Sequence, residues 1–201
     1  LRSHYGIHPD RLRLIRNGVD LERFKPAVAR QPVSDRIGFL GSGFRRKGLE
    51  SCLRALPQLP GVSLEVAGRD RRSRYYERLA ERIGVGDRVR FLGALTEPEQ
   101  WLTSLGAMVL PTLYDPCANS CLEAMACGIP VISTSRNGAS EMFPEDWLVL
   151  QPDPTPDLLA HTVERALHEP GLGLRCRDAV EPWPQIRAAQ ELMEVLEEPG
   201  I

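Results

Sequence analysis

Two short stretches hold residue types whose spacing suits anion chemistry. The first is Gly41-Ser42-Gly43-Phe44-Arg45-Arg46-Lys47-Gly48. Glycines let a loop pass close to a ligand, and the helical pattern that follows starts near Lys47, so its free N–H groups and dipole would favour an anion. Arg46 and Lys47 would set two cations at that end. Cations at a helix N-terminus oppose the dipole, so the pair is expected to meet a phosphate; the alternative is a solvated basic helix start. The stretch is not a P-loop, because the Gly-x4-Gly-Lys-Ser/Thr spacing is absent, and it is not a Gly-x-Gly-x-x-Gly dinucleotide fingerprint.

The second stretch is Asp115-Pro116-Cys117-Ala118-Asn119-Ser120-Cys121-Leu122-Glu123. Asp115 falls in a loop and Glu123 in the first turns of a helix, with Asn119 or Ser120 as N-cap. Backbone N–H groups from Asn119 to Leu122 would face a ligand. Glu123 is followed by the apolar run Ala124 to Ile132, and an acid in that setting needs a partner. A ligand hydroxyl pair and a simple helix-start acid both fit it.

These residues need elements to place them. Apolar runs at Ile37–Gly41, Val62–Gly68, Arg88–Leu92, Met108–Leu110, Val131–Ser133 and Trp147–Leu150 read as strands. Helical spacing covers Lys47–Leu56, Tyr75–Ile83, Glu97–Leu105, Cys121–Ala126, Thr155–Leu167 and Gln185–Glu197. Strand and helix in alternation predict an α/β fold: a Rossmann-like parallel sheet with helices on both faces. Such sheets bind ligands outside the carboxyl ends of their strands, which is where both stretches lie. The first thirty or so residues read as a strand and turn, and Ala27–Ser34 as a loop. The expected organisation is a lead-in segment and linker over 1–34 and a Rossmann-like domain with a C-terminal helix over 35–201.

Bulk properties exclude other classes. The chain of 201 residues is 42% hydrophobic and 26% charged, ordinary for a globular domain. A net charge of −2 gives no global pull toward nucleic acid or an anionic membrane. No apolar run approaches a membrane span and no signal peptide is evident; Leu1 at the start suggests a piece of a longer protein. Five cysteines, Cys52, Cys117, Cys121, Cys127 and Cys176, show no disulfide spacing and point to a reducing compartment. Cys117 and Cys121 lack further ligands for a metal and read as small filler. The four histidines have no ligand partners at metal spacing and read as surface or turn residues. Arg69, Arg71, Arg72 and Arg74 read as a solvated loop, with an acidic-acceptor contact as the other reading. Asn137–Glu141 reads as a glycine turn near the cleft, in which Glu141 is a ligand contact or a helix-start acid.

Three motifs resemble a known family. Asp115-x7-Glu123 followed by Ala-Met-Ala-Cys-Gly-Ile-Pro-Val-Ile resembles the Glu-x7-Glu signature of retaining family 4 glycosyltransferases. Arg16-Asn17-Gly18-Val19-Asp20-Leu21-Glu22-Arg23-Phe24-Lys25-Pro26 looks like the segment that leads into their second domain, and Gly41–Gly48 resembles their donor-phosphate loop. The Gly41–Gly48 form and Val66-Ala67-Gly68-Arg69-Asp70 are similar to the glucosyltransferases of bacterial lipopolysaccharide core. The sequence departs from the family at Asp115, usually Glu, and at Cys117 and Ala118, where Phe and Gly are common.

The resemblance implies the second, donor-binding domain of a GT-B enzyme, inactive alone. Arg46 and Lys47 would bind the donor diphosphate, Asp115 would touch the transferred sugar, and these three would be the catalytic set. Gly41, Gly43, Asn119, Ser120 and Cys121 would bind donor phosphate or sugar through backbone, Ala94 and Leu95 would pack on the base, and Glu123 would hold the ribose hydroxyls. No cofactor and no metal are expected, since the sequence has no Asp-x-Asp pair. The expected partners are a nucleotide-sugar donor, UDP-glucose foremost, and a glycan or glycolipid acceptor held by the first domain. No nucleic acid is expected. The expected location is cytoplasmic, with peripheral attachment at the inner membrane face through the whole protein. The C-terminal helix, preceded by Trp183 as a packing residue, would cross back onto the first domain. A non-catalytic nucleotide-sugar-binding module, a GT-B epimerase and a phosphorylase are the alternatives.

Overall fold

The computed structural model describes Gly6, His8 and residues 12–27 and 34–197. Six strands run in one parallel sheet: β1 (Arg36–Leu40), β2 (Ser63–Ala67), β3 (Val89–Gly93), β4 (Ala107–Leu110), β5 (Val131–Thr134) and β6 (Val149–Leu150), in the order β3-β2-β1-β4-β5-β6. Every pairing is parallel, with Phe39 beside Val66 on one side of β1 and Gly38 beside Met108 on the other. The order reverses between β1 and β4, which opens a crevice at their carboxyl ends.

The helices are α1 (Phe44–Lys47), α2 (Leu49–Ala55), α3 (Ser73–Arg82), α4 (Pro98–Leu102), α5 (Asn119–Ala126), α6 (Pro156–His168), α7 (Leu172–Val180) and α8 (Gln185–Glu197). Contacts divide them between the faces: α2 packs on α3 and α6, while α5 packs on α4 and α7. The central strands are buried on both sides, as in β4 and β5, where every residue is buried. That explains the apolar run of β4; in β5 the buried Ser133 and Thr134 hydroxyls donate to the Leu110 and Thr112 carbonyls.

Four local expectations are corrected. The helix expected over Lys47–Leu56 is two helices, broken at Gly48, whose φ of 81° is left-handed. The strand expected at Trp147–Leu150 opens as a 3-10 turn over Asp146–Leu148, and only Val149–Leu150 pairs. The 97–105 helix closes at Leu102 because Thr103–Leu105 turn back with Ser104 N–H bonding the Trp101 carbonyl. Helix α7 stands in a stretch, 168–184, for which the sequence pattern predicts no element. In the fold Gly173 brings α7 against the Gly128 carbonyl, at a place where a Cβ would not fit.

The lead-in forms no strand in the described residues. Val19 makes a single bridge to Pro184, with Val19 N–H bonding the Trp183 carbonyl at 3.0 Å and Gln185 N–H bonding the Val19 carbonyl at 2.9 Å. Asp20 then closes a turn through its Oδ1, which accepts from Glu22 and Arg23 N–H, and buried Phe24 anchors it. Trp183 is a packing residue, with the Arg16 and Arg187 guanidinium groups 5.3 and 4.4 Å from its ring centre. Most of the loop expected at Ala27–Ser34, and Leu1 to Arg11 apart from Gly6 and His8, lie outside the described residues.

Candidate functional site

The site starts from an aromatic anchor. Phe44 is buried between Phe39 and Tyr76, edge-on to each at 5.7 Å. This fixes α1 against the end of β1. Asp70, after β2, accepts the Phe44 N–H at 2.7 Å and closes the helix start. Lys47, three residues on, shares the inward face with Phe44, while Arg45 and Arg46 face outward.

The cations therefore close the four-residue α1 and directly precede Gly48, the N-cap of α2. What holds the pair is a carboxylate. Lys47 Nζ lies 2.7 Å from Asp115 Oδ2, and Arg46 Nη1 lies 2.7 Å from the same oxygen. Arg46 also donates to the Tyr114 carbonyl at 2.9 Å. Burial pushes the Asp115 carboxyl upward, but hydrogen bonds from Lys47 and Arg46 outweigh it and hold the group below its ordinary value. Asp115 itself is pinned by backbone: its N–H bonds the Arg136 carbonyl, and Gly138 N–H bonds its carbonyl. The loops after β1, β4 and β5 thus meet at one point above the crevice.

Helix α5 begins there with a different cap than expected. Ala118 is the N-cap and offers no side chain. The capping oxygen comes from Asn137, whose Oδ1 accepts from Ala118 N–H at 3.1 Å and Ala139 N–H at 3.2 Å. Its Nδ2 donates to Ser133 Oγ and Cys121 Sγ. Buried Asn137 is the positioning residue that sequence reasoning missed; an Asn before a Gly at a strand end was its only signal. Asn119 and Ser120 are used otherwise: Asn119 Oδ1 accepts from Asn17 Nδ2 at 2.8 Å, and Ser120 Oγ donates to the Leu40 carbonyl.

Cys121 cannot present its N–H as expected, because that group bonds the Ala118 carbonyl at 2.9 Å in the tight first turn. Its buried thiol is pushed up to about 12 by burial. Among the described residues nothing accepts from the N–H groups of Asn119 and Ser120, which remain at the helix start.

Glu123 lies in the second turn of α5, past the reach of a first-turn dipole role. It is half-buried, and desolvation raises its carboxyl, with Arg23 pulling it down and Glu99 pushing it up by less. Arg23 is occupied by Glu99 through two donors at 3.0 and 3.3 Å. Among the described residues no hydrogen bond or ion pair reaches the Glu123 carboxylate.

Glu123 thus stands apart from the Arg46–Asp115–Lys47 cluster. Ala94 and Leu95 follow β3 at the same edge of the sheet and form no hydrogen bond with the cluster; Ala94 is exposed and Leu95 half-buried. Gly41 ends β1 with its N–H on the Ala67 carbonyl, and Gly43 caps α1 with φ 74°. Glu141 is exposed and paired with Arg16 at 3.1 Å.

Comparison with known proteins fits this geometry. The family description "Glycosyl transferases group 1" matches residues 34–169. The D-inositol 3-phosphate glycosyltransferase of Streptomyces bingchenggensis is 28% identical over 197 residues, covering 86% of this chain and 43% of that protein. The lipopolysaccharide core biosynthesis glycosyltransferase LpsD of Rhizobium meliloti is 29% identical, covering 73% of this chain and 45% of the relative. The solved structure of Anabaena HepE with UDP-glucose superposes with a TM-score of 0.80 at 20% identity, over 95% of this chain and 58% of that one. The sheet and its two helical layers match GT-B glycosyltransferase structures. The chain spans less than half the length of the two curated relatives.

Proposed function

This chain belongs to the group 1 glycosyl transferases, and from that premise we propose that it is the donor-binding half of a retaining hexosyltransferase that moves a sugar from UDP-glucose to a glycan or glycolipid acceptor such as lipopolysaccharide core. The observation that carries the reading is the Arg46–Asp115–Lys47 cluster at the point where strand order reverses. Two fixed cations at that place suit a diphosphate, and they would offset the charge that develops on the leaving nucleotide. The cations then do the work of a metal ion. Asp115 Oδ2 holds both cations in register before the donor arrives, leaving Oδ1 for a hydroxyl of the transferred sugar. The Asn119 and Ser120 N–H groups suit a phosphate or sugar oxygen. Glu123 suits the two ribose hydroxyls, and the Ala94–Leu95 loop suits the base.

HepE holds UDP-glucose on the same fold, and LpsD acts in lipopolysaccharide core synthesis; both support the donor and acceptor class. The far half of the enzyme would bind the acceptor. Helix α8 supports this, since Ile186, Leu192, Met193 and Leu196 are 48–64% exposed and offer it an apolar face. No helix among the described residues is long and apolar enough to cross a membrane; the proposed location is cytoplasmic, with peripheral attachment at the inner membrane face through the whole protein.

The test is a thermal-shift panel of UDP-, GDP- and ADP-sugars. UDP-glucose is expected to give the largest shift. A larger shift from a GDP- or ADP-sugar would replace the donor, and no shift from any of them would end the donor-half reading.

A further inference from the structure

We propose that Asn17, in the lead-in, is a positioning residue for the donor: by donating to Asn119 Oδ1 it holds that oxygen off the open N–H groups at the start of α5 and leaves them to the donor's phosphate or sugar oxygens. The inference rests on the donor-half reading above and adds to it a residue from outside the sheet and its loops.

The lead-in is fixed where it meets the site. Val19 is buried, with its N–H on the Trp183 carbonyl and its own carbonyl on the Gln185 N–H. Gly18 passes so close to that segment that a Cβ would lie 2.6 Å from the Pro184 carbonyl oxygen. Arg16, on the other side, pairs with Glu141 in the turn after β5 at 3.1 Å and lies 5.3 Å from the Trp183 ring centre. Asn17 stands between these anchored neighbours. Its Nδ2 reaches Asn119 Oδ1 at 2.8 Å, across 102 positions of chain.

That bond bears on the donor because of what Asn119 does without it. Ala118 caps α5 with no side-chain oxygen, and within the helix start Asn137 Oδ1 serves the Ala118 N–H. The Cys121 N–H is taken by the Ala118 carbonyl. The open donors are therefore the N–H groups of Asn119 and Ser120, and Asn119 carries a strong acceptor on the same residue. Asn side chains readily bond their own or a neighbouring backbone N–H, and an N–H engaged in that way no longer serves an anion. Asn17 Nδ2 supplies a donor from outside the helix and occupies the oxygen. The Ser120 hydroxyl is drawn elsewhere, donating to the Leu40 carbonyl at 3.2 Å.

The test is calorimetry of the chain with UDP-glucose and with bare uridine, in the parent, Asn17→Ala, Asn119→Ala and the double variant. Asn17→Ala should bind UDP-glucose roughly two- to tenfold more weakly, the contribution of one neutral hydrogen bond. Uridine, which carries neither phosphate nor transferred sugar, should not feel the change. In the Asn119→Ala background, Asn17→Ala should cost nothing further, because the competing oxygen is gone. A merely structural Asn17 would weaken uridine as much as UDP-glucose and would lower the melting temperature. That result overturns the inference, as does an equal loss for Asn17→Ala with and without the Asn119 side chain. Loss of UDP-glucose binding in Asn119→Ala alone would make that side chain a donor contact rather than a competitor, and overturns it too. A parent that binds neither UDP-glucose nor UDP ends the donor-half reading and this inference with it, whereas additive losses in a parent that binds UDP-glucose strike the role of Asn17 alone.

Discussion

Asp115 carries a pH signature that separates its structural role from its proposed chemical one. Its carboxyl is held below its ordinary value of 3.8. A depressed acid contributes stability that is complete above the ordinary value and is lost as pH falls through the folded value. Unfolding in urea across acid pH should show this loss in the parent and not in Asp115→Asn, so the two stability curves should converge below about pH 4. Parallel curves would mean that the ion pairs add no stability. For the donor, Lys47→Ala should weaken nucleoside diphosphate binding by roughly 1.5–3 kcal/mol, the range of charge-assisted hydrogen bonds. Arg46→Ala should fall at the low end, because its side chain is 48% exposed and screened. Bare uridine should bind both variants like the parent, and calorimetry with the two ligands checks this; equal losses for uridine would place both residues away from the phosphates.

Glu123 shows the opposite sign. Desolvation raises its carboxyl above the ordinary 4.5, so the ionised form costs stability as pH rises past that value. Glu123→Gln should therefore keep or raise the neutral-pH melting temperature while lowering UDP affinity by roughly 1–3 kcal/mol. A cycle of parent and variant with UDP and its 2′,3′-dideoxy analogue measures the coupling. Simple addition of the two losses would remove the ribose role. At this scale the sequence exposed the acids and cations, since charge beside apolar runs is conspicuous. It did not expose which of them pair. Arg46 and Asp115 are 69 positions apart, and only the parallel order of β1 and β4 joins them. Asn137 was hidden in part for the same reason: two of its four side-chain partners, Ala118 and Cys121, lie 19 and 16 positions away at the start of α5.

At the level of elements, β1, β2 and β4 were legible because burial on both faces leaves short, mostly apolar runs ended by Gly or Pro. Helix limits were less so, because glycine carries two meanings. In Gly48 it breaks a helix, with φ 81°, and lets the backbone pass the Pro111 carbonyl. In Gly173 it sits inside a helix and serves close packing. Gly48→Ala should cost about 1–3 kcal/mol, the range for a strained left-handed residue made worse by a clash. Gly61→Ala, at φ 82° with nothing within 4 Å of the added methyl, should cost only about 1 kcal/mol. Urea midpoints of the two variants decide this. Equal losses would mean that the approach to Pro111 is not tight, and that the placement of Arg46 and Lys47 does not depend on it.

For the whole molecule, the crevice has one wall. Each polar group proposed for the donor is present: the cation pair, the α5 start and Glu123. Nothing on the described surface supplies a second wall, and the exposed face of α8 has no partner within the described residues. A donor held on one wall meets bulk water, so its cations act in high dielectric and lose most of their effect on the leaving group. Acceptor positioning, worth several orders of magnitude in rate, is missing as well. The chain alone should therefore bind UDP and UDP-glucose and transfer sugar at a negligible rate, and chelator should change neither binding nor the turnover of the complete enzyme. Adding the companion half of a complete enzyme, in trans or in one polypeptide, should restore transfer and cover Ile186, Leu192, Met193 and Leu196. Hydrogen exchange along α8 before and after that addition reads the covering directly. Transfer at full rate by the chain alone would refute the half-enzyme reading, and a strict need for manganese would return the leaving-group role from Arg46 and Lys47 to a metal.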